Sequence, residues 1–326
     1  MTDRPSRSRR PTRRDILALG AGAFVLSTLP LMRRRRSLVR RTVPIMGTVG
    51  EIVVVHGDRP YAQAAIGAAF DELRRVERLM TRFTSHSDVG RINRAPTLGV
   101  VVADDTAGVI ERALHWAHAT GGRFDPCLGR AAALWDVTER SAPPAQSEYA
   151  RFAGQAFYRS IDLDRHNGSA VVRLGHPDAA VDLGGIAKGY GVDRAVAVLR
   201  DWAIRDAIVN VGGDLYGMGS SAEGDPWHVG VRSPLDPNRV LRRIDVEDLA
   251  MATSGDYLQY FDYRGHRYHH ILDARSAAPR VVEWHSLTVS AGSCVEADAA
   301  ATAAFGLAGP EAQELVGTAV TVAVAA

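Results

Sequence analysis

From residue 158 onward the chain reads as short β-rich runs broken by only three helical ones, and this ordering limits the folds open to it. Strands are predicted over 171–174, 179–183, 206–211, 227–232, 239–246, 257–263, 267–272 and 286–291, and helices over about 186–202, 295–307 and 310–316. Strands that follow one another without intervening helices do not build a regular βαβ alternation, so the fold class is α+β. Upstream, Thr48–Val55 alternates and adds a strand. Residues 61–80 then place Ala65, Phe70, Leu73, Val76, Leu79 and Met80 at helical spacing. A polar loop is expected over 81–96, followed by a helix over about 106–119 closed by Gly121-Gly122. Pro143-Pro144 marks a further loop.

The formal net charge of +2 conceals an uneven distribution. Residues 1–41 carry twelve Arg against Asp3 and Asp15, a local +10, which leaves −8 on residues 42–326. An acidic body lacks the basic face of a nucleic-acid binder, so nucleic acid is excluded as a partner. Cys127 and Cys294 fit no metal spacing and are expected to be buried free thiols. Within the first 41 residues, Arg13-Arg14 precede an apolar run from Ile16 to about Met32, the pattern of a Tat-type export signal. The chain therefore divides into a signal segment, 1–41, and a domain, 42–326, carried across the cytoplasmic membrane. As a helix the run spans roughly 25 Å against a hydrocarbon core of ~30 Å. It lacks an A-x-A cleavage site and is followed by Arg33 to Arg36, so the alternative is an uncleaved anchor that holds the protein at the membrane.

Of 39 basic residues, 38 are Arg and one, Lys188, is Lys. A compact ammonium and a planar guanidinium are not interchangeable at a crowded site, which singles Lys188 out against chance survival. It lies in Val181-Asp182-Leu183-Gly184-Gly185-Ile186-Ala187-Lys188, a strand that ends in a glycine pair and opens a helix. Helix N-termini suit phosphate, although a solvated strand-to-helix turn would read the same way. Val209-Asn210-Val211-Gly212-Gly213-Asp214 is a tight turn or a second ligand loop, and it does not match GxGxxG. Asp298 and Thr302 stand four apart on a predicted helix, hence on one face. One carboxylate and one hydroxyl, completed by carbonyls and substrate phosphates, can hold magnesium; back-bonding to the helix is the plainer reading. In Tyr268-His269-His270, strand alternation puts His270 with Tyr268 and His269 on the other face, and either His could take a proton or be structural.

Taken in order, these segments resemble the ApbE family of FAD:protein FMN transferases. The resemblance runs through Met46-Gly47-Thr48, Met80-Thr81-Arg82-Phe83, Ser87-Asp88-Val89, Asn93, Gly122-Arg123-Phe124-Asp125-Pro126 and Leu134-Trp135. It continues through Asp182 to Asp193, Asn210 to Asp214, Ser254-Gly255-Asp256-Tyr257, His270 to Asp273 and Asp298 to Thr302. It implies an α+β domain that uses FAD as substrate, with Mg2+ as cofactor, and moves FMN onto a Thr or Ser hydroxyl with release of AMP. The implied flavin contacts are Met46, Phe83, Phe124, Asp125, Asp182, Lys188, His270 and Ile271. The implied metal ligands are Asp298, Thr302 and the Gly185 carbonyl. His270 is the implied base, with Asp256 second, and Lys188 stabilises growing negative charge. The implied partner is a redox protein carrying Asp-x-x-Thr/Ser-Gly-Ala-Thr, a pattern this chain itself lacks. A magnesium-dependent FAD diphosphatase and a non-catalytic flavin carrier are the alternatives.

The chain departs from the family in three places. Phe83 stands where a Tyr is usual. Asp273-Ala274-Arg275-Ser276-Ala277 replaces Asp-Pro-x-Thr-Gly, so the turn after His270 is expected to differ. The end at Ala326 leaves little length for a terminal strand.

Overall fold

A computed structural model describes residues 24–26, 37–166, 169–236, 238–282, 284–317 and 322–325. Seven strands form one antiparallel sheet: β1 (Leu38–Ile45), β2 (Thr48–Val55), β3 (Ala207–Val211), β4 (Asp214–Met218), β5 (Leu249–Gly255), β6 (Trp284–Ala291) and β7 (Val322–Ala325). Their order across the sheet is their order along the chain. Every neighbour pair is antiparallel. The sheet is thus a meander, and the other described elements after β1 are excursions between its strands.

Two of its hairpins are set by local chemistry. Ile45 pairs with Thr48 across Met46-Gly47, whose φ values are 50° and 71°. Val211 pairs with Asp214 across Gly212-Gly213, at 62° and 103°. Positive φ at both central residues matches the twist of the flanking strands, and glycine adopts it without a steric penalty. A methyl on Gly212 would also stand 2.7 Å from Thr48 Cγ2.

The longest excursion, between β2 and β3, carries α1 (Arg59–Met80), α2 (Asp104–Ala119) and α3 (Ala187–Asp201), and α4 (Cys294–Ala304) follows β6. Helices α1, α3 and α4 pack on one face of the sheet. There Ile52, Val54, Val209, Val211, Ala250 and Ala252 meet Ile66, Phe70, Leu73, Val192, Val196 and Ala301. On the other face Val53, Val55, Ile208, Leu215 and Met251 meet Trp227, Val229, Val231 and Val246. Those last residues belong to a smaller sheet of Trp227–Arg232, Val240–Val246 and the short strand Phe24–Leu26. Both faces being buried, the central strands read as unbroken apolar runs such as Ile52 to Val55. Helix α4 is buried nearly all round, which its run of alanines permits. Cys127 and Cys294 are buried and unpaired, as expected.

Several expectations need correction. The first strand of the sheet already begins at Leu38, upstream of residue 42. The loop expected over 81–96 contains a helix, Asp88–Arg94, capped by the Ser87 hydroxyl, which accepts from Gly90 N at 2.9 Å. Residues 179–183 are extended but form no strand; only an isolated Leu128–Ala180 bridge is present. Their backbone bonds go elsewhere: Asn93 grips Val181 through its N–H (2.6 Å) and carbonyl (2.8 Å), and Asp182 N donates to Pro126 O at 2.8 Å. The runs 257–263 and 267–272 shrink to a hairpin, Tyr260–Tyr263 with His266–His269, which leaves His270 just past the strand end. In the turn after His270, Ala277 stands where the family pattern has a glycine. Ala277 takes φ 54°, and its carbonyl accepts from Trp135 Nε1 at 2.7 Å. That conformation costs a non-glycine residue ~1 kcal/mol. The terminal strand is present too, since β7 pairs with β6.

Candidate active site

The first turn of α3 and the middle of α4 meet at a buried charge cluster. Lys188 Nζ lies 2.7 Å from Asp214 Oδ2, at the start of β4, and 3.3 Å from Asp298 Oδ1 on α4. Asp298 Oδ2 also accepts from Gly189 N at 3.0 Å. The two carboxylates are 2% and 4% exposed at their side chains and Lys188 is 27% exposed, so the ammonium forms the outer edge of the cluster. Burial opposes its charge, but Asp214 and Asp298 outweigh burial and hold the ammonium well above its ordinary range. Burial and the neighbouring Asp298 push Asp214 upward, against the pull of Lys188.

Helix contact explains two of the glycines. A methyl on Gly189 would stand 2.2 Å from the Cys294 carbonyl oxygen, and one on Gly185 would stand 2.9 Å from Thr302 Cγ2. Both glycines therefore let α4 approach the 184–189 turn, which brings Thr302 and Asp298 beside it. Only Gly184 of the pair is exposed, and its N–H donates to Asp182 Oδ1 at 2.9 Å. The Thr302 hydroxyl lies 3.3 Å from that of Ser254 on β5. Phe124 is buried, with Cε2 3.3 Å from a methyl position on Gly185.

From this cluster a line of contacts leads outward. Asp182 Oδ2 pairs with Arg82 Nε at 3.1 Å, and the Arg82 guanidinium lies 4.4 Å from the centre of the Phe83 ring. Phe83 is 81% exposed, a large aromatic face with nothing over its outer side. His270 also reaches solvent, and its backbone N–H donates to Gln259 O at 3.2 Å. The density of protein around its ring, with a contribution from the Lys188 charge, lowers its pKa to about 4. The ring is therefore neutral at physiological pH, and with Nδ1 3.4 Å from Gln259 O its Nε2 is the nitrogen left with a lone pair to offer. Its neighbour His269 is buried, donating from Nε2 to Arg280 O at 2.9 Å and accepting at Nδ1 from Ile271 N at 3.2 Å, which fixes its neutral tautomer. Of the two histidines, only His270 is open to a ligand.

The profile of the ApbE family matches residues 46–325. The chain belongs to the ApbE family. A FAD:protein FMN transferase of Treponema pallidum is 31% identical to it over 279 residues, 80% of this chain and 76% of that one. A second, from Vibrio cholerae, is 30% identical over 268 residues, 79% and 78% of the two chains. The crystal structure of the ApbE protein of Thermotoga maritima aligns with a TM-score of 0.80 at 31% identity, covering 89% of this chain and 94% of that one.

Within this ApbE chain the fold gathers Gly185, Lys188, Asp298, Thr302 and Phe124 at one place, with Asp182 and Phe83 in line beside them. Met46 reaches the same helix, its Sδ 3.3 Å from a methyl position on Gly191. Three expected site residues already have partners within the chain. The Asp125 carboxylate accepts from the backbone N–H groups of Cys127 (2.9 Å) and Tyr158 (3.3 Å), and burial raises its pKa to about 6. The Ile271 side chain is buried and its backbone groups serve His269 and Arg280. Asp256 is buried with both oxygens on His285 Nδ1, at 2.8 and 3.0 Å, and Arg267 is 4.0 Å away. Sequence reasoning placed Asp214 and Ser254 in segments shared with the family but gave neither a role. A sole lysine on a buried helix start needs a counter-charge, and the Asp that follows Gly212-Gly213 was the available signal.

Proposed function

We propose that this chain catalyses transfer of FMN from FAD to a Thr or Ser hydroxyl of an acceptor redox protein, in a magnesium-dependent reaction. The observation that carries the proposal is the Lys188–Asp214–Asp298 cluster beside the Thr302 hydroxyl, in a chain of the ApbE family. The acceptor oxygen forms a bond to the FMN phosphorus, the bond from that phosphorus to the bridging oxygen of the diphosphate breaks, and AMP leaves with the electron pair. His270 takes the hydroxyl proton. Lys188 supplies fixed positive charge where the leaving phosphate gains negative charge. Phe83 offers the exposed ring face on which an isoalloxazine stacks.

The oxygen donors present suit a hard cation: the Asp298 carboxylate, the Thr302 hydroxyl and the Gly185 carbonyl would hold it, with Asp214 as a further carboxylate beside them. Magnesium bound there neutralises charge on the diphosphate.

The reading is tested with the full chain, FAD, Mg2+ and a folded acceptor domain carrying Asp-x-x-Thr-Gly-Ala-Thr. The acceptor is expected to gain the mass of one FMN less water and to release one AMP per modified hydroxyl. Without acceptor, AMP should appear slowly, because water lacks the binding energy that aligns the threonine with the phosphorus. Rapid AMP release with an unmodified acceptor would make the protein a diphosphatase, and FAD recovered intact would make it a carrier.

The same proposal includes export, for which Arg13-Arg14 and the apolar run that follows are the support. Changing both arginines to Lys should leave the protein in the cytoplasm on fractionation. Unchanged export of that variant would rule out the twin-arginine route.

A further inference from the structure

Arg280 lies in none of the motifs named above, yet it touches three of the segments that carry the site. Its side chain is buried. Nη1 donates to Thr302 O at 2.6 Å and Phe305 O at 2.8 Å, where α4 ends. Nη2 donates to Arg123 O at 2.8 Å, the residue before Phe124, and Nε donates to Leu272 O at 3.2 Å, two residues past His270. Its backbone closes the same turn, its N–H donating to Ile271 O at 3.0 Å.

Each acceptor of the guanidinium is a carbonyl, and among the described residues no carboxylate pairs with it. A buried cation without a counter-ion is costly, and burial, with Arg123 adding to it, lowers the Arg280 pKa to about 9. The end of a helix supplies partial negative charge in compensation, and a second guanidinium, Arg123, also donates there, to Ala303 O and Phe305 O. A planar fork with five donors in fixed directions can join three backbone segments at set angles, which an apolar residue or an ammonium cannot do.

We propose that Arg280 is a positioning residue that sets Thr302 against the His270 turn and the Phe124 loop, so that the metal-side and base-side groups of the site hold one geometry. The proposal rests on the transferase reading for its rate effects but not for its metal-binding effect. Arg280→Met and Arg280→Lys are compared with the parent chain at a temperature where far-UV circular dichroism shows each variant folded. Arg280→Met should label acceptor roughly 10–100-fold more slowly, the scale of an ångström-sized misplacement. Its half-saturating Mg2+ concentration should rise about tenfold, as should its Kd for Mn2+ measured directly by electron paramagnetic resonance with FAD present. FAD affinity without metal should stay within about threefold. A folded Arg280→Met with parental labelling rate and parental metal affinity would overturn the proposal. If Arg280→Met does not fold, Arg280→Lys decides, because it keeps the charge and loses the fork. Parental rate and metal affinity in that variant would overturn the proposal equally. A parent chain that labels nothing would sink the transferase reading and leave the Mn2+ titrations to decide the role of Arg280.

Discussion

Asp298→Ala is expected to reduce acceptor labelling by about three orders of magnitude or more, since a catalytic divalent ion supplies several kcal/mol at ~1.4 kcal/mol per tenfold in rate. The structure adds a complication to this test. Asp298 also accepts from Gly189 N and balances Lys188, so its loss leaves a buried N–H unpaired, at a cost of about 1–3 kcal/mol in stability. Asp298→Asn is the control that separates the two effects. It keeps an oxygen for Gly189 and roughly the same volume, so its melting temperature should lie nearer the parent's, while its labelling stays weak and recovers in part with Mn2+. Full magnesium-dependent labelling by a folded Asp298→Ala variant would remove Asp298 from the metal site.

Lys188→Met should affect both activity and folding. It strips the cation from two carboxylates that are almost wholly buried, and breaking such a group by removing one partner costs about 3–5 kcal/mol. Labelling should fall below detection, and chemical denaturation should show the stability loss. Lys188→Arg keeps the charge, but a guanidinium is broader than the ammonium that fits 2.7 Å from Asp214 and 3.3 Å from Asp298. We expect it to retain part of the stability and little of the activity. A Lys188→Arg chain that labels at the parental rate would show that charge alone is needed there, and that the sole lysine survived by chance.

The most local parts of the protein were legible from sequence. Helical periodicity located α1, where a 3.6-residue apolar spacing directly reports the buried face, and α2, α3 and α4 were also placed to within a few residues. The pairing of Asp298 with Thr302 followed from the same geometry. The strands β4 and β5 were not legible. Asp214 to Met218 and Leu249 to Gly255 hold Gly, Ala, Ser and Asp, poor β formers in isolation, and they sit mid-sheet because the alanine-rich α4 packs closely above them.

The site divides along the same line. Order along the chain was enough to name the family and to mark Lys188, Asp298, Thr302 and His270. Only the packed structure decided which side chains are free for chemistry, because hydrogen-bond partners are assigned in three dimensions and each lone pair can be spent once. Asp125 accepts from the N–H groups of Cys127 and Tyr158, and Asp256 pairs with His285, partners that occupy part of each carboxylate's capacity. His269 is spent on Arg280 and Ile271, which leaves His270 as the open histidine. Tertiary packing likewise brought Asp214 to Lys188 and put Arg280 at the end of α4, contacts across 26 and 22 positions that no local pattern in the sequence encodes.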